Sequence, residues 1–294
     1  MRAFDFWVMM LCCLCWGGNF VMTSWALGGS TVPPFMLAAT RAALVLIVMG
    51  VFLFRSLPNH FLKLLFVCFC VGPMHLGLLY TGLRTAPASG ASIISQAMIP
   101  MATLLSVIWL KEKIGWRRSL AIVGALVGVL IMIYEPGALS FDPGLILVLG
   151  AYVSLAIGTV VIRRISNVDW RVYVAWTAVM ILFFCTSASF LLESNHAEVW
   201  RTDKTALLIA AAYSAVAVSV IAHGQYFRLL QSYPVKSVVP LTIMVTVFAT
   251  ILGVLLLDEV LYPRYILGAA LILPCVWIIA RRGTTEPAGV NSDE

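Results

Sequence analysis

The chain has 294 residues, 62% of them hydrophobic and 11% charged, with 19 Lys and Arg against 13 Asp and Glu and a mean hydropathy of +1.00. This balance excludes a water-soluble globular domain and marks an integral membrane protein. All seven Cys (Cys12, Cys13, Cys15, Cys68, Cys70, Cys185 and Cys275) fall in apolar stretches, which excludes a disulfide framework outside the membrane and leaves them as packing residues.

In chain order, uncharged apolar stretches long enough to cross a hydrocarbon core of about 30 Å as helices run over 6–27, 33–54, 61–83, 87–110 and 117–134. A second set runs over 143–162, 172–192, 205–227, 235–257 and 263–280. The predicted fold is all-α and membrane-integral, with ten transmembrane helices, five per half. The first stretch exceeds a signal-peptide core and no small-residue cleavage site follows it, so it is expected to be retained. The connections are short, the longest spanning about 193–204, which leaves no room for a soluble catalytic domain. The tail, 283–294, is expected to be a disordered cytoplasmic segment.

The second half repeats the first. At an offset of 147, the run from Ala102 to Glu112 meets the run from Ala249 to Glu259 with six of eleven positions identical. The same offset places Gly77 on Gly224, Pro87 on Pro234 and Arg117 on Arg264. The expected units are therefore 1–134 and 135–282. With the N-terminus in the cytoplasm, the inner connections carry fourteen Lys and Arg, the outer ones four (Arg84, Arg201, Lys204 and Arg264), and Arg41 lies within a span. The positive-inside rule then puts both termini in the cytoplasm.

An odd number of helices per repeat forces the second copy to enter the membrane upside down, and the charges agree. The connection after span 1 has no Lys or Arg, while its counterpart after span 6 has Arg163, Arg164 and Arg171; the one after span 4 carries four, its counterpart after span 9 only Arg264. Inverted repeats are the usual construction of secondary transporters, because two similar halves can exchange conformations around a site at the midplane.

Several short motifs carry a family resemblance: Trp16-Gly-Gly-Asn-Phe20 in span 1, the entry to span 2 from Pro34 to Arg41, Tyr80 followed by Thr85-Ala-Pro-Ala-Ser-Gly-Ala91, and Leu-x-Glu at both Glu112 and Glu259. With them the chain resembles ten-helix members of the drug/metabolite transporter superfamily, of the EamA type, over 6–282. Gly268 follows the second Leu-x-Glu as in that family, whereas the first copy has Ala121 at that spacing. The resemblance implies export of amino acids, aromatic or neutral, and related small metabolites. The alternative cargo is drugs or other metabolites, with efflux coupled to protons. The implied place is a bacterial inner (plasma) membrane.

Polar side chains inside apolar spans are costly unless paired or facing water. Ser89, Ser92, Gln96 and Thr103 recur along one face of span 4, and Trp16, Asn19 and Thr23 along one face of span 1. Tyr152 and Thr159 share a face of span 6, and span 8 offers Ser219, His223 and Tyr226. Such stripes line a central cavity or satisfy neighbouring helices. His75 and His223, each near glycine, are either buried imidazoles on carbonyls or groups for substrate or protons. Arg41 is the one basic residue deep in a span, where it pairs with a substrate carboxylate or ties its helix to carbonyls. Trp176 and Tyr173 offer stacking surface or an interface anchor. The candidate binding set is therefore Trp16, Asn19, Arg41, His75, Tyr80, Ser92, Gln96, Tyr152, Trp176, His223 and Tyr226.

All thirteen acidic residues lie in connections, tails or span edges, which disfavours an acidic proton relay and points to uncoupled export or exchange by alternating access. Pro100 and Pro240 are candidate hinges, since each removes a helix hydrogen bond. Gly124 and Gly128 form a small-residue pair suited to a close helix contact, internal or at a dimer face. There is no nucleophile motif, acid–base dyad or metal-ligand spacing, so no enzyme, cofactor or metal is expected. The expected partners are a small-molecule substrate and lipid, not nucleic acid, with the chain acting as a monomer or weak dimer.

Overall fold

The computed structural model describes residues 1–55, 60–111, 114–135, 140–162, 165, 169–233 and 235–281. Glu112, Lys113, Arg163, Arg164, Arg282 and the tail 283–294 lie outside the described residues. Among the described residues, ten helices are long and apolar enough to cross a membrane: α1 (Ala3–Leu27), α2 (Pro34–Phe54), α3 (Phe61–Gly82), α4 (Ala88–Leu110), α5 (Trp116–Ile133), α6 (Pro143–Ile162), α7 (Trp170–Leu192), α8 (Lys204–Ser232), α9 (Val239–Leu257) and α10 (Pro263–Ala280). Each coincides with an apolar stretch of the sequence. Pro34, Pro143 and Pro263 open their helices, at a position where a missing N–H costs nothing.

Two small elements escape hydropathy. A short helix, His196–Thr202, fills the longest connection, and β1 (Tyr134–Glu135) pairs antiparallel with β2 (Ser140–Phe141) between the halves. That pair is the one departure from an all-helical chain among the described residues.

The irregularities of the helices recur at the sequence offset. α3 opens into a π-type turn over Cys70–Met74 and α8 over Ser214–Ala222, and residue 70 displaced by 147 falls inside the second segment. α4 breaks between Ser95 and Met98, and α9 begins with a tight 3-10 turn over Val239–Ile243. Lys111 and Asp258, 147 apart, both adopt the left-handed conformation, φ 54° and 52°. Each donates its backbone N–H to a carbonyl five residues back, Ser106 and Gly253 respectively.

Nearly all the extensive helix contacts run between the halves. α1 packs along α9 and α4 along α6; α2 packs on α7, α5 on α10, α3 on α6 and α8 on α1. Exchanging the halves maps this set of pairs onto itself. Missing β-carbons permit several of these approaches. A Cβ on Gly144 would stand 2.9 Å from the Gly82 carbonyl oxygen, and one on Gly128 3.0 Å from that of Gly268. The Gly124 and Gly128 pair thus seats α5 on α10 within the chain.

Contacts at the helix ends define two faces. At the face bearing the N-terminus, Arg228 and the Tyr233 hydroxyl reach Asp5 at 2.9 and 2.7 Å, and Arg55 meets Asp169 at 2.7 Å. At the opposite face Asp203 accepts from the Thr31 amide at 2.9 Å, Glu193 accepts from the amides of Phe35 and Met36, and Arg264 lies 3.7 Å from Asp142. Between the faces, α4 holds α9 through Ala88–Ser95 against Met244–Leu257, whereas its remaining part, Met98–Leu110, leaves α9 for α6.

Candidate functional site

The glycines of the Trp16-Gly-Gly-Asn motif have a packing cause that positions the site. A Cβ at Gly17 would come within 2.9 Å of backbone atoms of Val245 and Ala249 on α9. One at Gly18 would collide with the Tyr213 hydroxyl of α8, a group that donates to the Cys15 carbonyl at 3.1 Å. Two glycines in succession therefore let α1 lie against α8 and α9 together, and Asn19, one residue on, is delivered to Ser214 of α8, whose hydroxyl donates to the Asn19 side-chain oxygen.

Ser214 is the hub of a polar cluster joining four helices. Its hydroxyl lies 3.5 Å from that of Tyr80 on α3. Arg41 of α2 donates one guanidinium nitrogen to the Tyr80 hydroxyl at 3.2 Å and another to Ser219 at 3.1 Å. Tyr80 is fully buried and Arg41 partly so. The carbonyl cluster offered as one partner for Arg41 is replaced by two hydroxyls, and no carboxylate is paired with it among the described residues. A cation at mid-span with neutral partners alone retains most of its attraction for an anion.

The π-type turns shape the surroundings. Widening the helix over Ser214–Ala222 releases carbonyls from the usual ladder: that of Ser214 accepts from Ser219 at 3.2 Å and that of Val218 from His223 Nδ1 at 2.8 Å. His75 follows the matching turn in α3, and its Nδ1 donates across to the Ala151 carbonyl of α6 at 2.9 Å. Both imidazoles thus carry the Nδ1 proton, leaving Nε2 as the second nitrogen. His75 stands edge-on to Tyr152, centroids 5.0 Å apart. Trp16 stands edge-on to His223 at 5.5 Å and to Tyr226 at 5.1 Å.

Gln96 and Ser92 belong to the seam between α4 and α9. Gln96 donates to Thr246 at 3.1 Å, and Thr246 donates to the Ser92 carbonyl at 3.0 Å. Gln96 sits where α4 breaks, which ends the helical stripe that links it by spacing to Thr103. Trp176 is not with the others. It packs edge-on to Phe61 at 4.9 Å beside a separate buried cluster of Leu64, Val67, Cys68 and Ile165. Pro100 lies just past the break in α4, and Pro240 within the 3-10 turn of α9.

Ser214 and Thr246 carry no distinguishing sequence signal, since a single hydroxyl in an apolar span is commonplace. Two surface depressions, about 680 Å³ near Asp5 and Arg228 and about 360 Å³ near Thr31 and Glu193, lie at opposite faces and contain none of the predicted residues. At the second face, the hydroxyl and amide of Thr31 hold the Asp203 carboxyl below the usual 3.8.

Comparison with known proteins places this architecture. Two relatives, each named a probable amino-acid metabolite efflux pump, are similar over most of their length: that of Escherichia coli (strain K12) is 26% identical over 279 residues, 92% of either chain. That of Salmonella typhimurium is 27% identical over 285 residues, covering 93% of this chain and 94% of the relative. A protein crystal structure superposes with a TM-score of 0.62 at 19% identity, covering 96% of this chain and 99% of that one, which shows a shared fold. The model of the EamA-like transporter family matches residues 4–134 and again 142–281. With both halves matched and ten helices able to span a membrane, the chain belongs to the EamA-like transporter family and is a transporter, not an enzyme.

Proposed function

We propose that this transporter exports amino acids, aromatic or neutral, and related small metabolites by alternating access. Its two halves, 1–134 and 135–282, act as inverted five-helix repeats, with both termini in the cytoplasm of a bacterial cell. The offset shared by the π-type turns, the α4 and α9 irregularities and the left-handed Lys111 and Asp258 supports that relation, as does the interchange of helix pairs. The names of the relatives support the cargo class.

The observation that carries the substrate reading is Arg41, held by Tyr80 and Ser219 with no described carboxylate on it. A substrate carboxylate takes the two guanidinium donors in place of the hydroxyls, with a gain because ionised acceptors bond more strongly than neutral ones. Trp16, His223 and Tyr226 then offer one aromatic surface, and His75 with Tyr152 a second, for an apolar side chain. Asn19 remains to meet the amino group, while Ser92 and Gln96 adjust the α4 seam. Trp176 acts at a distance, on the packing of α3 against α7. Pro100 and Pro240 are the hinges, because helix irregularities concentrate bending.

The described acidic residues stand at helix ends, which supports transport down the substrate gradient without an acidic relay. Counterflow of labelled phenylalanine into liposomes holding only this protein tests the reading. Saturable counterflow is expected, and its absence with all neutral amino acids would overturn it. An imposed pH gradient is expected to leave the final distribution at equilibrium, and uphill accumulation would favour the proton-coupled drug or metabolite alternative. Labelling near Arg117 and near Arg264 from opposite sides of the membrane is the expected outcome for inverted halves.

A further inference from the structure

The Leu-x-Glu motif at Glu259 takes no part in the central cluster, yet its carboxylate joins the two halves at the face away from the N-terminus. One oxygen accepts the Ala88 amide at 2.5 Å and the other the Ser89 amide at 2.9 Å, both at the start of α4. The left-handed Asp258 turns the chain sharply after α9, and the Asp258 and Glu259 amides both reach the Gly253 carbonyl. Gly253 clears the path: a Cβ there would stand 2.7 Å from a Glu259 carboxylate oxygen. A carboxylate on two free amides of a helix N-terminus is stabilised by ionic hydrogen bonds and by the helix dipole.

A second observation opposes the first. The Ser89 hydroxyl is fully buried and has no hydrogen-bond partner among the described residues, which disfavours the arrangement that encloses it. The main contact between α4 and α9 lies at this end, Ala88–Ser95 against Met244–Leu257, with the Gln96–Thr246 bond at its inner limit. Opening towards this face must therefore part α4 from α9, break the Glu259 bonds and give Ser89 to water. The stabilising and destabilising groups sit side by side on the surface that has to separate.

We infer that Glu259 is the latch of this face, a positioning residue that holds the transporter closed there, with the unpaired Ser89 hydroxyl setting the latch close to balance. This rests on the alternating-access reading. The occupant of the latch is the chain's own carboxylate, so its state can be read without any substrate.

The test places a reporter beneath the latch, A91C at a fully buried position of α4, and measures its maleimide labelling rate in detergent, where both faces are reachable. Protein without A91C supplies the background from native thiols. Glu259→Gln removes the ionic part of both bonds and is expected to raise the rate about tenfold, roughly 1.4 kcal/mol. Gly253→Ala displaces the carboxylate and is expected to act in the same direction. Ser89→Ala removes the unpaired hydroxyl and is expected to lower the rate several-fold, an opposite sign that general loosening of the fold cannot produce. Equal rates in E259Q and the parent, or acceleration by S89A, would overturn the latch. If E259Q proves unstable, the G253A and S89A pair decides by the same signs. An unchanged rate in E259Q with intact counterflow refutes the latch alone; the expected rates with no counterflow of any amino acid refute the cargo reading alone.

Discussion

Arg41→Lys is expected to weaken substrate binding by roughly 10- to 150-fold while leaving the protein folded. Arg41 reaches Tyr80 at 3.2 Å and Ser219 at 3.1 Å with two different nitrogens, the fork that a carboxylate fits with both oxygens. A hydrogen bond with an ionised partner contributes about 1.5–3 kcal/mol net. Lysine keeps the charge but presents a point, not a fork, and so forfeits about one of the two bonds. At 1.36 kcal/mol per factor of ten, that loss gives the stated range. The assay is equilibrium binding of labelled phenylalanine to detergent-solubilised protein, run beside phenylalanine methyl ester, which has the same ring but no carboxylate. Wild type should discriminate strongly between acid and ester, and R41K should discriminate weakly. If R41K binds the acid within twofold of wild type, or wild type binds the ester as tightly as the acid, the assignment of Arg41 is wrong.

Three further outcomes follow from the geometry. Gly144→Ala puts a Cβ 2.5 Å from the Thr85 hydroxyl and 2.9 Å from backbone atoms of Gly82 and Ala86, so it should cost about 1–3 kcal/mol and lower the melting temperature, whereas Gly50→Ala, which meets nothing within 4 Å, should not. Asp203 has a depressed pKa, so its stabilising contribution is present above the usual 3.8 and is lost as pH falls through its lower folded value. The melting difference between wild type and Asp203→Asn should accordingly hold steady from about pH 8 to 5 and close in strongly acidic buffer; a gap that persists there would contradict it. Pro100→Ala and Pro240→Ala should slow counterflow several-fold with folded yield unchanged, and a loss of yield without a loss of rate would make them static bends.

The helices were legible because a membrane demands long uncharged stretches, and nothing in the connections competes with that signal. Boundaries moved most where composition stops being decisive: α8 continues to Ser232 through Arg228 and Gln231, whose polarity ends the apolar stretch but not the helix. The polar cluster was half legible. Arg41, Asn19 and Tyr80 stand out because large polar groups are rare in a span, whereas Ser214, which joins them, is one hydroxyl among many. Gln96 and Ser92 read as cavity residues by spacing alone, and their placement on the α9 seam follows from a break in α4 that no single residue announces. Trp176 joins the candidate set by residue type alone, and only tertiary packing decides that it sits beside Phe61. Conversely, Glu259 was visible as a repeated motif long before its target, the bare amides of another helix, had any signature.

The interlocking of the two halves has a consequence for biosynthesis. Because α1 leans on α9, α4 on α6, α2 on α7 and α5 on α10, a nascent chain that has inserted only its first five helices possesses almost none of its eventual neighbours. Those helices must wait in lipid as loosely associated segments until their partners emerge from the ribosome, and assembly is completed only after the last one has entered. With the halves inverted as proposed, a half-length gene product would be stable only by recruiting another of its kind in the opposite orientation, which is what a primordial single-repeat ancestor would have had to do.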